Sequence, residues 1–233
     1  MTSTPAALVT GASLGLGRAL SRALAERGWR LVLDGRDSSR LGAVAAELPS
    51  AITIAGDVTD PVHREAVAAA VGGYGRLDLL VNNASDLGPS PLPSLAEHPL
   101  DALRTVYETN VVAPIALVQL LLPALRNAAG AIVNVSSDAA VEAYPGWGGY
   151  GSSKAALDQV SAVLAAEEPA LRVYAVDPGD MHTDMHQRAF PGEDISDRPQ
   201  PESVVPALLR LLDVRPASGR YRASEWTTAE ANR

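Results

Sequence analysis

Apolar and polar positions come in blocks along this chain, and the blocks alternate between two periods. Apolar runs of five or six residues recur at 6–10, 30–34, 51–56, 77–81, 131–135 and 172–176, and 219–223, which carries two arginines, is a further strand candidate. Near-continuous apolar runs bounded by turn residues read as strands buried on both faces. Between them lie segments with apolar residues at helical spacing: about 18–27, ending at Gly28, then 38–48, 61–72, 100–126, 150–168 and 202–212. Pro114 falls inside the longest of these, which predicts a kink there. Strands alternating with helices predict a doubly wound parallel sheet of about seven strands with helices on both faces. Neither a repeat nor a linker divides residues 1–233, so one domain is expected. Residues 181–201 are rich in Pro, Asp and His with little periodicity, and read as a loop or short helical lid. The tail at 224–233 is expected to be loose.

In such sheets ligands bind beyond the carboxyl ends of the strands. The polar clusters fall there: Gly11, Asp57, Asn83, Ser137 and Pro178-Gly179 each follow an apolar run. The first run opens onto Gly11-Ala12-Ser13-Leu14-Gly15-Leu16-Gly17 and then a helix and a second strand. Glycines at such a turn let backbone N–H groups and a helix N-terminus approach a pyrophosphate.

Composition narrows the picture. A chain of 233 residues supports one substantial core, and 47% hydrophobic with 20% charged residues is ordinary for a globular protein. The net charge of −8 argues against nucleic acid or anionic membranes as partners. No apolar run approaches the ~20 residues of a membrane span. The first residues lack a basic start and a signal-type core, so a soluble, cytoplasmic protein is the expectation. Cysteine is absent, which removes disulfides, thiolate nucleophiles and Cys-based metal sites.

The chemistry concentrates between Ala143 and Glu168, where a Gly-rich aromatic run becomes a long helical segment. Tyr150 and Lys154 lie four residues apart and so share a helix face. Lys154 is the sole lysine; the other eighteen basic residues are arginine. A compact ammonium can sit beneath a phenol and bond sugar hydroxyls, which a planar guanidinium cannot do. A nearby cation favours phenolate, so the pair predicts a Tyr150 pKa drawn down from its usual ~10 towards neutrality.

Together these pieces resemble the short-chain dehydrogenase/reductase family, over about 6–223. The resemblance implies a nicotinamide dinucleotide held by Gly11, Ser13, Leu14, Gly15, Leu16 and Gly17, with Asp57 and Val58 at the adenine. Asn83 and Ala84 belong to the family's N-N-A-G motif, in which Ser85 here replaces the usual glycine. Pro178, Gly179, Met181 and Thr183 would contact the nicotinamide half. Asn110, Ser137, Tyr150 and Lys154 fall on the family's catalytic tetrad, Tyr150 following Ser137 by 13 residues and Asn110 by 40. In that scheme Tyr150 exchanges a proton with the substrate oxygen and Ser137 orients it. Lys154 lowers the Tyr150 pKa and bonds the ribose, and Asn110 holds a water linking Lys154 to solvent. By the same analogy Asp86 to Pro93, Tyr144, Trp147, Met181, Met185 and Phe190 line the substrate pocket, and suit a small apolar carbonyl compound. The helices at 100–126 and 150–168 would form a homodimer or homotetramer interface.

The end of the second strand chooses the cofactor. An acid there favours NAD, and an arginine favours the 2′-phosphate of NADP. The family's selecting position is Gly35, followed by Arg36, so NADP(H) is expected. Asp34 leaves NAD(H) open should it swing into the site. An NAD-dependent alcohol dehydrogenase working oxidatively is the alternative within enzymes, and a non-catalytic dinucleotide sensor the alternative outside them. His182, Asp184 and His186 have spacing that invites a metal, but their place in the lid favours substrate contact or solvent, and no metal is expected.

Overall fold

Each apolar run becomes a strand, and all seven strands lie parallel in one sheet. The computed structural model describes residues 4–48 and 50–226. The strands are β1 (Ala6–Val9), β2 (Arg30–Gly35), β3 (Ile52–Ala55), β4 (Leu79–Asn82), β5 (Ala131–Val135), β6 (Arg172–Asp177) and β7 (Gly219–Arg222). Their order is β3-β2-β1-β4-β5-β6-β7. Val9 pairs with Leu33 on one side and with Val81 on the other. The chain therefore reverses its direction of travel between β1 and β4, and a crevice opens beyond the carboxyl ends of those strands. Of the tail expected to be loose at 224–233, residues 224–226 instead belong to a 3-10 turn at Ala223–Trp226, with Trp226 packed on the core, and 227–233 lie outside the described residues.

Side chains alternate across the sheet as the strand period requires. Along β1, Ala7 and Val9 join a core with Leu20, Leu24, Leu33 and Val133 on one face. Leu8 joins Leu80, Leu117, Leu121 and Ile132 on the other. The helices that supply these layers are α1 (Gly15–Glu26), α2 (Ser38–Glu47), α3 (Pro61–Gly72), α4 (Leu100–Tyr107), α5 (Ala113–Ala128), α6 (Gly148–Glu167), α7 (Asp184–Ala189) and α8 (Val205–Val214).

Two boundaries differ from the pattern in the sequence for physical reasons. The segment expected as one kinked helix over 100–126 is α4, a π-helical turn at Glu108–Val112, and α5. Pro114 has no N–H to give the Asn110 carbonyl four residues back, and its ring crowds that carbonyl, so the helix widens for one turn. The Leu100–Ala128 stretch is, contrary to the reading of the sequence, long and apolar enough to cross a membrane by length and composition. Its apolar character has a use inside the fold, since Val106, Leu117, Leu121 and Leu125 are buried. The segment expected to be helical from 202 begins as a 3-10 turn at Pro201–Ser203 and becomes α8 at Val205.

A buried polar ladder ties α6 to the sheet. Asn82 Nδ2 donates to Asn134 Oδ1 (2.7 Å), Asn134 Nδ2 to Ser161 Oγ (2.8 Å), and Ser161 Oγ to the Leu157 carbonyl (2.7 Å). The ladder crosses from β4 through β5 to the helix that carries Tyr150 and Lys154.

The glycine turn after β1 is equally tight. Gly11 has φ of +63°, and a Cβ there would lie 2.9 Å from Ala84 Cα. At Gly17 a Cβ would meet the Gly11 carbonyl oxygen at 2.4 Å and Asn83 Nδ2 at 2.5 Å. Gly17→Ala should therefore cost about 1–3 kcal/mol as an overpacking change. Gly42→Ala on α2, where nothing lies within 4 Å of the added carbon, should be neutral or stabilising by up to ~1 kcal/mol. Denaturant melts of the two variants check the contrast.

Candidate active site

A cleft of about 950 Å³ opens beyond the carboxyl ends of the strands, at the upper end of the range for small-molecule sites. It is lined from the glycine turn and the ends of β2 and β3 on one side to α6 and α7 on the other. Of the residues expected to bind cofactor, all line it except Gly17, which is buried against Gly11 and Asn83. Gly17 thus serves the close packing of α1 rather than contact with a ligand.

The wall of the cleft is shaped for an anion. Helix α1 begins at Gly15 with Leu14 at its cap, no side chain bonding its first amides, and no acid in its first turn. Its N-terminal N–H groups and positive dipole end are left for a ligand. Gly11 and Gly15 both have positive φ, and at Gly15 the nearest atom to an added Cβ would be Thr183 Cγ2 at 3.5 Å. Thr10 Oγ1 accepts from the amides of Asn83 and Ala84 (both 3.0 Å), and Asn83 Nδ2 donates to the Thr10 carbonyl (2.9 Å). Asn83 thereby clamps the glycine turn to the end of β4. These features fit a dinucleotide pyrophosphate.

On the opposite wall Ser137, Tyr150 and Lys154 come together. Lys154 is buried, and its Nζ donates to the Val135 carbonyl (2.7 Å) and lies 5.4 Å from the Tyr150 ring centroid. Burial holds its ammonium down to about 8, against the pull of Asp158. Tyr150 does not have the lowered pKa that the Tyr–Lys pair predicted. Burial pushes the phenol above its ordinary value; the Ser85 and Ser137 hydroxyls favour the ionised form but are outweighed, while Asp138 and Asp177 add to the rise. The ammonium lies under the ring rather than at the oxygen, and desolvation wins.

Asn110 also departs from expectation. It does not line the cleft, and its amide is fully engaged with protein groups. Oδ1 accepts from Ser85 Oγ (3.0 Å) and the Asp86 amide (2.7 Å), and Nδ2 donates to the Asp86 carbonyl (2.8 Å) and Ser153 Oγ (2.9 Å). A side-chain amide has no further capacity to hold a relay water. Ser85, where the family pattern has glycine, fills the space between Asn110 and Tyr150.

The substrate end is closed by α7 and its flanks. Trp147 packs edge-on to Tyr150 with centroids 5.8 Å apart, and Phe190 lies 5.9 Å from Trp147. Tyr144, Met181 and Met185 also line the cleft. Of the expected 86–93 stretch only Leu87 does so; Gly88 and Ser90 instead tether the lid, through Arg188 Nη2 to the Gly88 carbonyl (2.9 Å) and Ser90 Oγ to the Arg188 carbonyl (2.7 Å). Thr183 caps α7, its Oγ1 accepting from the His186 amide (3.1 Å), and the His186 ring stacks on Phe190 at 4.9 Å.

Three groups absent from the reading of the sequence bear on the site. Asp138 accepts from Ser137 Oγ (3.0 Å) and from Tyr144 OH (3.1 Å). Arg220, on β7, donates to the Ser137 carbonyl (2.9 Å) and to Asp158 on α6 (2.9 Å), joining the two segments that carry Ser137 and Tyr150. His63 bonds Asp34 at 2.6 Å. None has a local signal, because His63 and Arg220 act across 29 and 62 or more residues of chain, and Asp138 acts beside a residue already assigned.

A family model for short chain dehydrogenase matches residues 5–194. The chain belongs to the short-chain dehydrogenase/reductase family. Serine 3-dehydrogenase of Agrobacterium fabrum is 39% identical over 182 residues, covering 76% of this chain and 72% of that protein. L-xylulose reductase of Bos taurus is 37% identical over 188 residues, covering 79% and 75%. A short chain dehydrogenase of Shigella flexneri 2a, solved in complex with NADP, superposes with a TM-score of 0.88 at 31% identity, covering 94% of this chain and 97% of the other. The short-chain dehydrogenase is therefore an oxidoreductase acting on alcohol or carbonyl groups.

The buried ammonium of this short-chain dehydrogenase has a consequence for stability. A lysine whose folded pKa lies near 8, below the unfolded ~10.4, binds more protons when unfolded, so stability should rise as pH increases from about 8 to about 10.4. Lys154→Met removes that rise. Urea melts at pH 7 and pH 10 should show wild type gaining on the variant by roughly 1–3 kcal/mol; an unchanged difference would mean the ammonium is already neutral or well solvated.

Proposed function

We propose that the protein is an NADP(H)-dependent reductase that converts a small carbonyl compound to its alcohol, with Tyr150 as the proton donor. The observation that carries this is a buried phenol, kept protonated by its surroundings and placed beside Ser137 and Lys154 at the end of a cleft built for a dinucleotide. A phenol held in its acid form suits proton donation, hence reduction. When bound, the nicotinamide supplies the hydride.

In this reading Ser137 gives up its bond to Asp138 and donates to the substrate oxygen, fixing the carbonyl against Tyr150. Tyr150 transfers its phenolic proton to the oxygen as negative charge develops there. Lys154 stabilises the phenolate left behind and offers its remaining N–H donors to a ribose. The Ser85 hydroxyl, bonded to Tyr150, offers a route by which a proton can return to the phenol. Asn110 holds the 85–86 turn in place. Trp147, Phe190, Met181 and Met185 present an apolar and aromatic wall to the body of the substrate.

Arg36 supports NADP over NAD. It is exposed, lines the cleft beside Gly35, and has no ion-pair partner among the described residues. Its guanidinium is free for a 2′-phosphate. The NADP in the Shigella flexneri neighbour accords with this. The oxidative direction is the second reading, favoured by likeness to serine 3-dehydrogenase; it uses the same residues in reverse but requires Tyr150 to give up its proton first. Exposed Val112 in the π-helical turn, Leu120 on α5 and Val163 on α6 support a homo-oligomer interface on that face.

Tyr150→Phe should lower turnover of an accepted ketone or aldehyde by about 10²–10⁴-fold while leaving NADPH affinity within a few-fold; a fully active variant refutes the role of Tyr150. For wild type, kcat/KM with NADPH should exceed that with NADH by about tenfold or more, equivalent to ~1.4 kcal/mol. Arg36→Ala should erase most of that gap, and a wild type that prefers NADH overturns the assignment of Arg36.

A further inference from the structure

Asp34 directly precedes Gly35, the position at which an acid would select NAD, and the structure turns its carboxylate inward. It is the penultimate residue of β2, the strand whose end faces the adenosine half of a dinucleotide in this fold, and it borders the cleft. Its side chain is only 3% exposed, and Oδ1 lies 2.6 Å from Nε2 of His63, itself 7% exposed. His63 is the third residue of α3, whose N-terminus is capped by Asp60. The imidazole lies flat over Gly56, where a Cβ would fall 2.2 Å from Nδ1, so the ring occupies space that only glycine leaves open. Gly56 is in turn bonded through its amide to the Gly35 carbonyl (3.1 Å). The acid, its partner and the glycine beneath them therefore form one buried unit directly behind Gly35 and the exposed Arg36.

We propose that His63 is a specificity-determining positioning residue: by holding the Asp34 carboxylate inside the fold, it withholds the one acid of β2 from the adenosine ribose and leaves the choice of cofactor to Arg36. The inference rests on the NADP(H) reading above and adds the device that keeps a competing acid out of play. An acid free at that point would accept from the ribose hydroxyls, stabilising NADH, and would repel a 2′-phosphate. Held by His63, it does neither. The pair lifts the His63 pKa, chiefly through the Asp34 bond and against burial, as expected where imidazole partners a carboxylate. Removing one member of a buried pair leaves an uncompensated polar or charged group, which costs more than the pair gains. The nearest water into which a released Asp34 can relax is the cleft.

Equilibrium binding of NADPH and NADH to the full chain, followed by dinucleotide fluorescence at fixed pH, tests this. His63→Leu fills the space over Gly56 without a donor; the ratio of the NADH to the NADPH dissociation constant should fall at least tenfold. His63→Gln keeps a donor near the same place and should stay within twofold of wild type. Asp34→Asn combined with His63→Leu should abolish the shift. A folded His63→Leu protein with an unchanged ratio, or a shift that survives in the double variant, overturns the proposal. Should His63→Leu fail to fold, Asp34→Asn alone decides: NADH affinity within twofold of wild type supports withholding, and a fivefold or greater loss shows that the acid already reaches the ribose. The wild-type ratio separately tests the NADP(H) reading, whereas the change from wild type to variant tests His63.

Discussion

Lys154 is an ammonium taken out of water without a carboxylate against it. Its one direct partner is the Val135 carbonyl at 2.7 Å, and Asp158 on the same helix helps from a distance. Taking a charge out of water is expensive, and the fall of its pKa to about 8 reports that expense. To keep the group there, the start of α6 must lie close against its neighbours. Added carbons at Gly148, Gly149 and Gly151 would come within 2.3, 2.4 and 2.5 Å of Leu95, His98 and the Ala139 carbonyl respectively. The glycine-rich entry to α6 is thus what lets Tyr150 and Lys154 sit at the floor of the cleft, and a stability optimum would not place a lone cation at that point.

The floor is then made rigid by polar bonds that cross between elements. The Asn82–Asn134–Ser161 ladder fixes α6 to β4 and β5, Arg220 fixes α6 to the turn at Ser137, and Asn110 fixes the 85–86 turn to α6 through Ser153. These groups are largely buried, where bonded polar atoms specify one geometry; Asn82 Oδ1 and Asp158 Oδ1 are left without a partner, a cost the rest of the network carries. The consequence is that the turns carrying Ser85 and Ser137 and the first turn of α6, which carries Tyr150, are positioned by residues that do not line the cleft.

Much of this was legible beforehand. The glycine turn, the alternation of strands and helices, and the Tyr150–Lys154 spacing are local patterns, and each is found where the pattern put it. What could not be read is what depends on three-dimensional partners. The Tyr150 pKa was expected to fall because the sequence shows a lysine one turn away but not the desolvation of the phenol, which acts with the opposite sign. Asn110 was given a water because spacing cannot reveal that Ser85, Asp86 and Ser153 would consume its amide. Gly17 was given a ligand contact because the motif does not separate glycines that face the cleft from one that lets α1 lie on Gly11. His63 and Arg220 carry no local signal at all, since their partners are 29 and 62 or more residues away.

Rigidity is not spread evenly around the cleft, and the difference suits a site that must admit and release two ligands. The floor bonds are buried, whereas the tethers of the lid are exposed: Arg188 to Gly88, Ser90 to Arg188, and the 3.4 Å pair between Arg40 and Asp184. Exposed hydrogen bonds and ion pairs are each worth roughly 0–1.5 kcal/mol, so parting these three is cheap beside breaking the floor. Apolar contact adds the ring packing of Phe190 on Trp147, the burial of Ala189 and Ile195, and the packing of Met181 on the core. Local opening free energies follow buried contacts and protected bonds. On that ground the segment around α7 is held less firmly than α6 and the sheet, and the Ser137–Tyr150–Lys154 arrangement does not depend on its tethers.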